Sequence, residues 1–147
     1  MKFKNNIVIL DSNFILLPFQ FKIDYINEIR TNLEGTVTFI IYQQILNELE
    51  AKKNREPNAV RFQKFYNSGL FYLEKAKQNY DIVIFDEIKE KNENTDDFLV
   101  KKAIQLKSGD ITIFLATNDT NLRRKAKKNK INTIFLRQKK FLGFDRI

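Results

Sequence analysis

Short apolar runs of strand length alternate along this 147-residue chain with segments in which apolar residues recur at helical spacing. Five runs rich in β-branched and aromatic residues predict β-strands over residues 7–10, 36–41, 82–85, 111–116 and 133–136. The amphipathic segments predict helices over residues 24–32, 42–53, 96–107 and 121–129, with one or two more across residues 58–79. The alternation of strands and helices indicates an α/β fold.

The predicted strands are apolar almost throughout, as in sheets that are buried on both faces. Alternating strands and helices then predict a mostly parallel, five-stranded sheet covered by helices on both sides. The length is that of one ordinary domain, and 43% hydrophobic content with 14 Phe is enough for one sizeable core. We therefore expect residues 1–147 to form a single domain.

A polar triplet of Asp11, Ser12 and Asn13 interrupts the apolar stretch IVILDSNFILL directly after the first predicted strand. In open parallel sheets, ligands bind at the carboxyl ends of the strands, near the point where strand order reverses. Asp11 should therefore emerge at the functional edge of the sheet, while Asn13 anchors the following loop through hydrogen bonds to backbone. An Asx turn formed by Asp11 is the ordinary structural alternative.

Further acids follow other predicted strands or begin helices near the same edge. They are Asp119 in LATND, Asp96 and Asp97 in TDDFLVKKA, and Glu48 and Glu50 in QQILNELEAKK. Helix capping by Thr95, Asp96 or Asp119 and simple solvation of Glu48 are the structural alternatives. Because no Arg or Lys in their motifs is expected to counter them, converging carboxylates would repel and raise one another's pKa unless a bound cation holds them ionised.

The chain contains no Cys and no His, which narrows the chemistry it can perform. Their absence excludes disulfides, a thiolate nucleophile, a Ser-His-Asp triad and the usual zinc ligand sets. Ligation by oxygen atoms alone favours Mg²⁺ or Mn²⁺ as the cation.

Positive charge is concentrated at one end of the chain. Residues 121–147 hold ten Lys and Arg against one acid, whereas residues 1–120 hold sixteen against seventeen acids. Such a segment attracts polyanions, chiefly nucleic acid or an anionic membrane, although a solvated helix face is an equal alternative. Beside a group of acids, it suggests metal-dependent phosphodiester cleavage in which a metal activates water. The residues predicted to hold flanking phosphates of the nucleic acid are Arg123, Arg124, Lys127, Lys128, Lys139 and Lys140.

The aromatic residues are expected mainly in the core, and those that could stack on bases if exposed are Tyr42, Tyr66, Tyr72 and Phe141. The aromatic-rich residues 58–79 suggest a homodimer interface as a hypothesis.

No apolar run approaches the roughly 20 residues that a membrane helix needs, and Asp11 comes too early for a secretory signal. We therefore expect a soluble, cytoplasmic protein with no membrane partner.

Four motifs occur in the order D-x-N, E-L, D-D-x-L-V-x-x-A and T-x-D, within LDSNFILL, ILNELEAK, TDDFLVKKA and LATNDTNLRRKA. In this order they resemble the PIN-domain ribonucleases over nearly the whole chain. The resemblance implies a Rossmann-like PIN fold and an acidic Mg²⁺ or Mn²⁺ site that cleaves RNA. By position it implies a catalytic, metal-binding quartet of Asp11, Glu48, Asp96 and Asp119, with Asp97 as an additional ligand and Asn13 and Thr117 in support.

The DDxLV form and the LRRKA run are most similar to the branch that processes small-subunit ribosomal RNA, which implies a ribosomal RNA precursor as the substrate. Two positions depart from the family pattern: Ser12 stands where Thr is common, and Asn121 stands where a second Asp often follows.

VapC-type toxins share the acidic pattern and predict a small antitoxin partner. A non-catalytic RNA-binding or assembly module is a further hypothesis. Phosphatase folds fit poorly because DSN replaces DxD, and receiver folds because their lysine has no clear counterpart.

Overall fold

The computed structural model describes residues 4–147. Within this range the strands are β1 (Asn5–Leu10), β2 (Thr36–Tyr42), β3 (Asp81–Phe85), β4 (Ile111–Ala116), β5 (Asn132–Arg137) and β6 (Phe141–Asp145). The helices are α1 (Ser12–Ile15), α2 (Leu17–Gln20), α3 (Tyr25–Asn32), α4 (Gln43–Arg55), α5 (Val60–Ala76), α6 (Thr95–Leu106) and α7 (Thr120–Lys128). Every predicted strand and helical segment is present with ends shifted by a few residues, and residues 58–79 contain one helix.

The strands form one sheet in the order β3-β2-β1-β4-β5-β6. β1 pairs in parallel with β2 and β4, while β3 extends the sheet from β2 and β5 extends it from β4, both in parallel. The chain moves outwards from β1 to β3 and then crosses back to β4, so strand order reverses between β1 and β4. The predicted mostly parallel α/β sheet is confirmed, and its switch point lies beside Asp11.

Helices cover both faces of the sheet. Val8, Ile9 and Leu10 are consecutive and fully buried, so neither face of β1 is open to solvent. Right-handed crossovers place α3 and α4, which lie in the connections from β1 through β2 to β3, on one face of the sheet. They place α6 and α7, which lie in the connections from β3 through β4 to β5, on the opposite face. The contacts agree, because α1, α4 and α5 pack together while α6 and α7 pack on each other and on β4 and β5.

The sheet has a sixth strand that the sequence pattern did not predict. β6 pairs antiparallel with β5 across a tight turn in which Lys140 N–H donates to the Arg137 carbonyl at 3.0 Å. The turn residues Gln138 and Lys139 have φ of 53° and 57°, values that hairpin turns usually assign to Gly, Asn or Asp. The five-strand prediction was one strand short because this turn, with the sequence RQKK, lacks those residues.

Two short helices, α1 and α2, follow Asp11 where a loop was expected. Asp11 Oδ1 accepts the Ser12 N–H at 2.8 Å and so caps α1, while Phe14 and Ile15 of this helix are fully buried. Gly69 of α5 allows α1 to approach closely, because an added Cβ there would lie 2.2 Å from the Ile15 carbonyl oxygen. The burial of the apolar residues after Asp11 therefore holds this segment as helix.

The aromatic side chains are mostly internal. Tyr42 and Tyr66 are 1% and 8% exposed, so they do not meet the condition for stacking on bases, whereas Phe141 is 39% exposed. α5 turns Phe62 and Tyr66 inwards and leaves Phe71 exposed, and a homodimer through this helix stays a prediction. Across residues 4–147, each helix is too short or too polar to traverse a bilayer.

We expect Gly69→Ala to destabilise the protein, although Ala favours a helix over Gly by about 0.8–1.0 kcal/mol. The added methyl group would collide with the Ile15 carbonyl oxygen, and overpacking typically costs about 1–3 kcal/mol. Urea unfolding followed by circular dichroism should show a free energy of unfolding that is lower by about 1–2 kcal/mol.

Gly109→Ala is the matched control, because a Cβ at that position meets no atom within 4 Å. Its free energy of unfolding should stay within about 0.5 kcal/mol of the wild-type value. Equal stability of the two variants would contradict the close approach of α1 to α5.

Candidate active site

The carboxyl ends of β1 and β4 bring Asp11 and Thr117 side by side. Leu10 pairs with Ala116 in the parallel register, and Asp11 N–H donates to the Ala116 carbonyl at 3.0 Å. The Thr117 hydroxyl donates to Asp11 Oδ2 at 2.7 Å, and both side chains are buried. The register of the sheet therefore fixes a buried carboxylate at the switch point.

Two asparagines connect the loops around this pair. Asn13 Nδ2 lies 3.3 Å from both Asp11 Oδ2 and Thr117 Oγ1, and Asn13 Oδ1 accepts the Asn118 N–H at 3.0 Å. Asn118 Oδ1 accepts the Leu136 N–H at 2.7 Å, which ties the loop after β4 to β5. Asn13 thus anchors backbone as expected. Sequence reasoning missed Asn118, although it lies within the LATND motif.

Asp119 precedes α7 and is exposed to solvent. Its Oδ1 accepts the Leu122 N–H at 3.0 Å, so Asp119 does cap this helix. Its own N–H donates to Thr117 Oγ1 at 3.0 Å, which joins it to the buried pair. Because an ionised carboxylate has two acceptor oxygens, capping through Oδ1 leaves Oδ2 to meet a ligand.

Glu48 reaches the site from α4 and links it to α6. Its Oε2 accepts hydrogen bonds from Gln44 Nε2 at 2.8 Å and from the hydroxyl of Thr95, the first residue of α6, at 2.7 Å. Gln44 Oε1 also accepts the Lys89 N–H at 3.1 Å. Since α4 and α6 lie on opposite faces, Glu48 crosses the edge of the sheet, and Glu50 does not make this contact. Gln44 and Thr95 were not predicted to support the site.

Asp96 and Asp97 lie in the first turn of α6, and the cap of this helix is Asn94. Asn94 Oδ1 accepts the Asp97 N–H at 2.8 Å, so the capping role considered for Thr95 or Asp96 belongs to Asn94. Asp97 Oδ1 lies 3.0 Å from Lys125 Nζ of α7. The expectation that no Lys or Arg counters the acids is therefore wrong, because the LRRKA run brings Lys125 beside them.

Burial and mutual repulsion raise the pKa of two of these acids. The pKa of Asp11 is raised chiefly by burial, lowered by the hydrogen bonds from Thr117 and Ser12, and raised again by the charges of Asp96 and Asp119. The pKa of Asp96 is likewise raised by burial and then by the charge of Asp119. The structure thus brings the acids predicted from separate motifs into electrostatic contact at one edge of the sheet.

The donor set suits a hard divalent cation in chemistry and in charge. All the candidate ligands are carboxylates, and a bound cation would relieve the repulsion that raises the pKa values of Asp11 and Asp96. In the part of the chain that is described, no three acidic side chains are grouped closely enough to form a ready-made metal site. Binding would therefore require the carboxylates to rotate towards the ion.

The residues predicted to bind phosphates divide into groups. Those that are exposed on the site edge are Arg124, Lys139 and Lys140. Lys127 and Lys128 lie in the last turn of α7, away from this edge. The Arg123 guanidinium carbon lies 3.6 Å from the centroid of the Phe135 ring, and Arg123 Nε is buried with no hydrogen-bond partner among residues 4–147. Arg123 is therefore engaged in packing, and the predicted phosphate-binding residues that stay exposed on the site edge belong to α7 and the β5–β6 turn.

Residues 8–137 match the PIN domain family, and no curated protein sequence matches the chain significantly. Among solved structures, the chain is similar to the PIN domain endonuclease Utp24, with a TM-score of 0.65 and 25% identity over 96% of this chain and 92% of that one. It is also similar to a domain of a functionally unknown protein from Methanocaldococcus jannaschii DSM 2661, with a TM-score of 0.60 and 20% identity over 89% and 91%.

The family match spans both the switch point and the four acidic motifs, from β1 to the end of β5. The Methanocaldococcus domain supports the fold alone, whereas the match to the Utp24 endonuclease extends over almost all of both chains. The resemblance inferred from the motifs is confirmed, and the chain belongs to the PIN domain family.

Proposed function

We propose that this protein is a Mg²⁺- or Mn²⁺-dependent endoribonuclease that hydrolyses RNA phosphodiesters. The PIN domain and the similarity to the Utp24 endonuclease support a nuclease role. The observation that carries the proposal is the buried Asp11 carboxylate at the switch point, whose pKa is raised further by the charges of Asp96 and Asp119. Carboxylates that repel one another lower the stability of the fold that holds them close together, and such an arrangement is typical of functional sites.

The residues that would hold the cation are Asp11, Glu48, Asp96 and Asp119, with Asp97 as an additional ligand once its ion pair opens. When bound, such a cation activates water and neutralises charge on the leaving oxygen. Within the protein, the hydrogen bonds from Thr117 and Ser12 favour the ionised form of Asp11 and hold its orientation. The contact with Thr95 holds Glu48 over the same edge.

The substrate in this proposal is RNA, held by phosphate contacts from Arg124, Lys139 and Lys140. The similarity of the DDxLV and LRRKA motifs to the small-subunit branch supports a ribosomal RNA precursor. Residues 1–147 act as one nuclease domain in this proposal, consistent with a single sheet that runs through residues 4–147. A cytoplasmic location and a homodimer stay predictions of the sequence.

Asp11→Asn should abolish Mn²⁺-dependent cleavage of a structured RNA while keeping or raising thermal stability. Charge stabilisation by a catalytic metal is worth several kcal/mol, so we expect the cleavage rate to fall by at least about 100-fold. The raised pKa means that the ionised carboxyl lowers the stability of the fold at neutral pH, and Asn removes that charge. Cleavage rates and thermal melts at pH 7, with and without Mn²⁺, measure both effects. Mn²⁺ should raise the melting temperature of the wild type but not that of Asp11→Asn.

Asp110→Asn is the matched control, because Asp110 is an exposed acid that precedes β4 at the opposite edge of the sheet. This variant should cleave and melt like the wild type. The proposal would be overturned if the wild type bound no Mn²⁺ and its RNase activity survived Asp11→Asn. RNA that is retained uncut by the wild type at saturating Mn²⁺ would instead favour a non-catalytic binding module.

Lys125→Gln should tighten Mn²⁺ binding, because it removes a positive charge that already compensates Asp97 and Asp96. Exposed ion pairs contribute about 0.2–1 kcal/mol, so the dissociation constant should fall by up to about five-fold. Calorimetric titration with Mn²⁺ measures the change, with Lys130→Gln, just beyond α7, as the charge-matched control. Unchanged or weaker Mn²⁺ binding would show that Lys125 does not compete with the ion.

A further inference from the structure

A groove of about 340 Å³ opens beside Glu48, on the side of the acidic site away from the β5–β6 turn. Its walls come from the start of α1 and from the second half of α4, and its lining residues are Ser12, Glu48, Leu49, Ala51, Lys52 and Arg55. The groove therefore joins a member of the acidic site to two basic side chains that neither the charge distribution nor the motifs singled out.

Helical spacing aligns Glu48, Lys52 and Arg55 on one face of α4. Residues four and seven positions apart return to the same side of a helix, and the rise per residue places Lys52 about 6 Å and Arg55 about 10 Å along the axis from Glu48. Both basic residues are exposed. The groove thus leads away from the acids along a line of positive charge.

Existing contacts leave these two charges free to meet an anion. Among residues 4–147, Arg55 pairs only with its neighbour Glu56, at 3.6 Å and with side chains that are 67% and 43% exposed, an arrangement that contributes little to stability. Lys52 Nζ lies 4.5 Å from the ring centroid of Phe62 in α5, and Lys52 has no ion pair within residues 4–147. Phe62 therefore positions the Lys52 ammonium without neutralising its charge.

The groove complements the basic surface on the other side of the site. α4 follows β2, whereas α7 and the β5–β6 turn lie beyond β4, so Asp11 at the end of β1 stands between two basic surfaces. Acids alone would repel a polyanion, and phosphate contacts on both sides would draw a strand across them. A solvated basic end that complements the dipole of α4 is the competing explanation.

We propose that the α4 groove, through Lys52 and Arg55, binds backbone phosphates of the RNA strand on the side of the acidic site opposite the β5–β6 turn. This inference rests on the proposed ribonuclease function, because it assigns the groove to the same substrate. RNA would then be held on both sides of the phosphodiester to be cleaved.

Salt-dependent binding of a short single-stranded RNA tests the groove without cleavage, using Asp11→Asn protein in EDTA as the parent. Each phosphate contact to a single strand contributes about 0.7 to the slope of log affinity against log salt concentration. Adding Lys52→Gln with Arg55→Gln should therefore make the slope shallower by about 1.4. Fluorescence anisotropy at several salt concentrations measures the slope, and thermal melts verify that the variant folds.

Lys4→Gln with Lys130→Gln removes the same charge from exposed positions that precede β1 and β5 at the opposite edge, and should leave the slope of the parent unchanged. Lys52→Arg with Arg55→Lys keeps both positive charges and should also leave the salt-dependence slope of the parent unchanged. Equal slopes for the Gln pair in the groove and the control pair would overturn the groove proposal while leaving the ribonuclease function standing. A parent protein that bound no RNA, together with a wild type that cleaved none, would overturn both.

Discussion

The hydrogen bond from the Thr117 hydroxyl to the Asp11 carboxylate is the contact on which the site depends. An ionised carboxylate inside a protein costs several kcal/mol unless hydrogen bonds and nearby charges compensate it, and Thr117 and the Ser12 N–H supply donors. The Thr117 hydroxyl reaches Asp11 because β1 and β4 pair in parallel with Leu10 beside Ala116, whereas the Ser12 N–H comes from the adjacent residue at the start of α1. A slip of one residue in this register would turn every side chain of the strand to the other face.

The surrounding elements keep this contact in place through bonds between distant parts of the chain. Gly69 lets α1 pack closely on α5, and Asn118 ties the loop after β4 to both Asn13 and β5. Glu48 and Thr95 join α4 and α6 across the edge of the sheet. The acidic site is therefore complete only when the helices on both faces are docked, and folding and function share the same contacts.

The charges follow a simple spatial order, with acids at the carboxyl ends of β1 and β4 and exposed basic residues on either side. Lys125 is a basic residue inside the acidic group, where its pair with Asp97 offsets part of the repulsion. In the function proposed above, a divalent cation displaces Lys125 from Asp97, because this exposed ion pair contributes little to stability.

The sequence by itself determined the alternation of strands and helices, the parallel α/β sheet and the arrival of Asp11 at its edge, because apolar runs and helical spacing are local properties of the chain. Only the tertiary structure determined that β6 forms. The turn before it places Gln138 and Lys139, neither of them glycine, at positive φ, and pairing with β5 holds the strand. The tertiary structure also decided that Gln44 and Lys125 stand beside the acids. Their hydrogen bonds and ion pairs join elements far apart in sequence, and no local pattern specifies which polar side chains will meet when those elements pack.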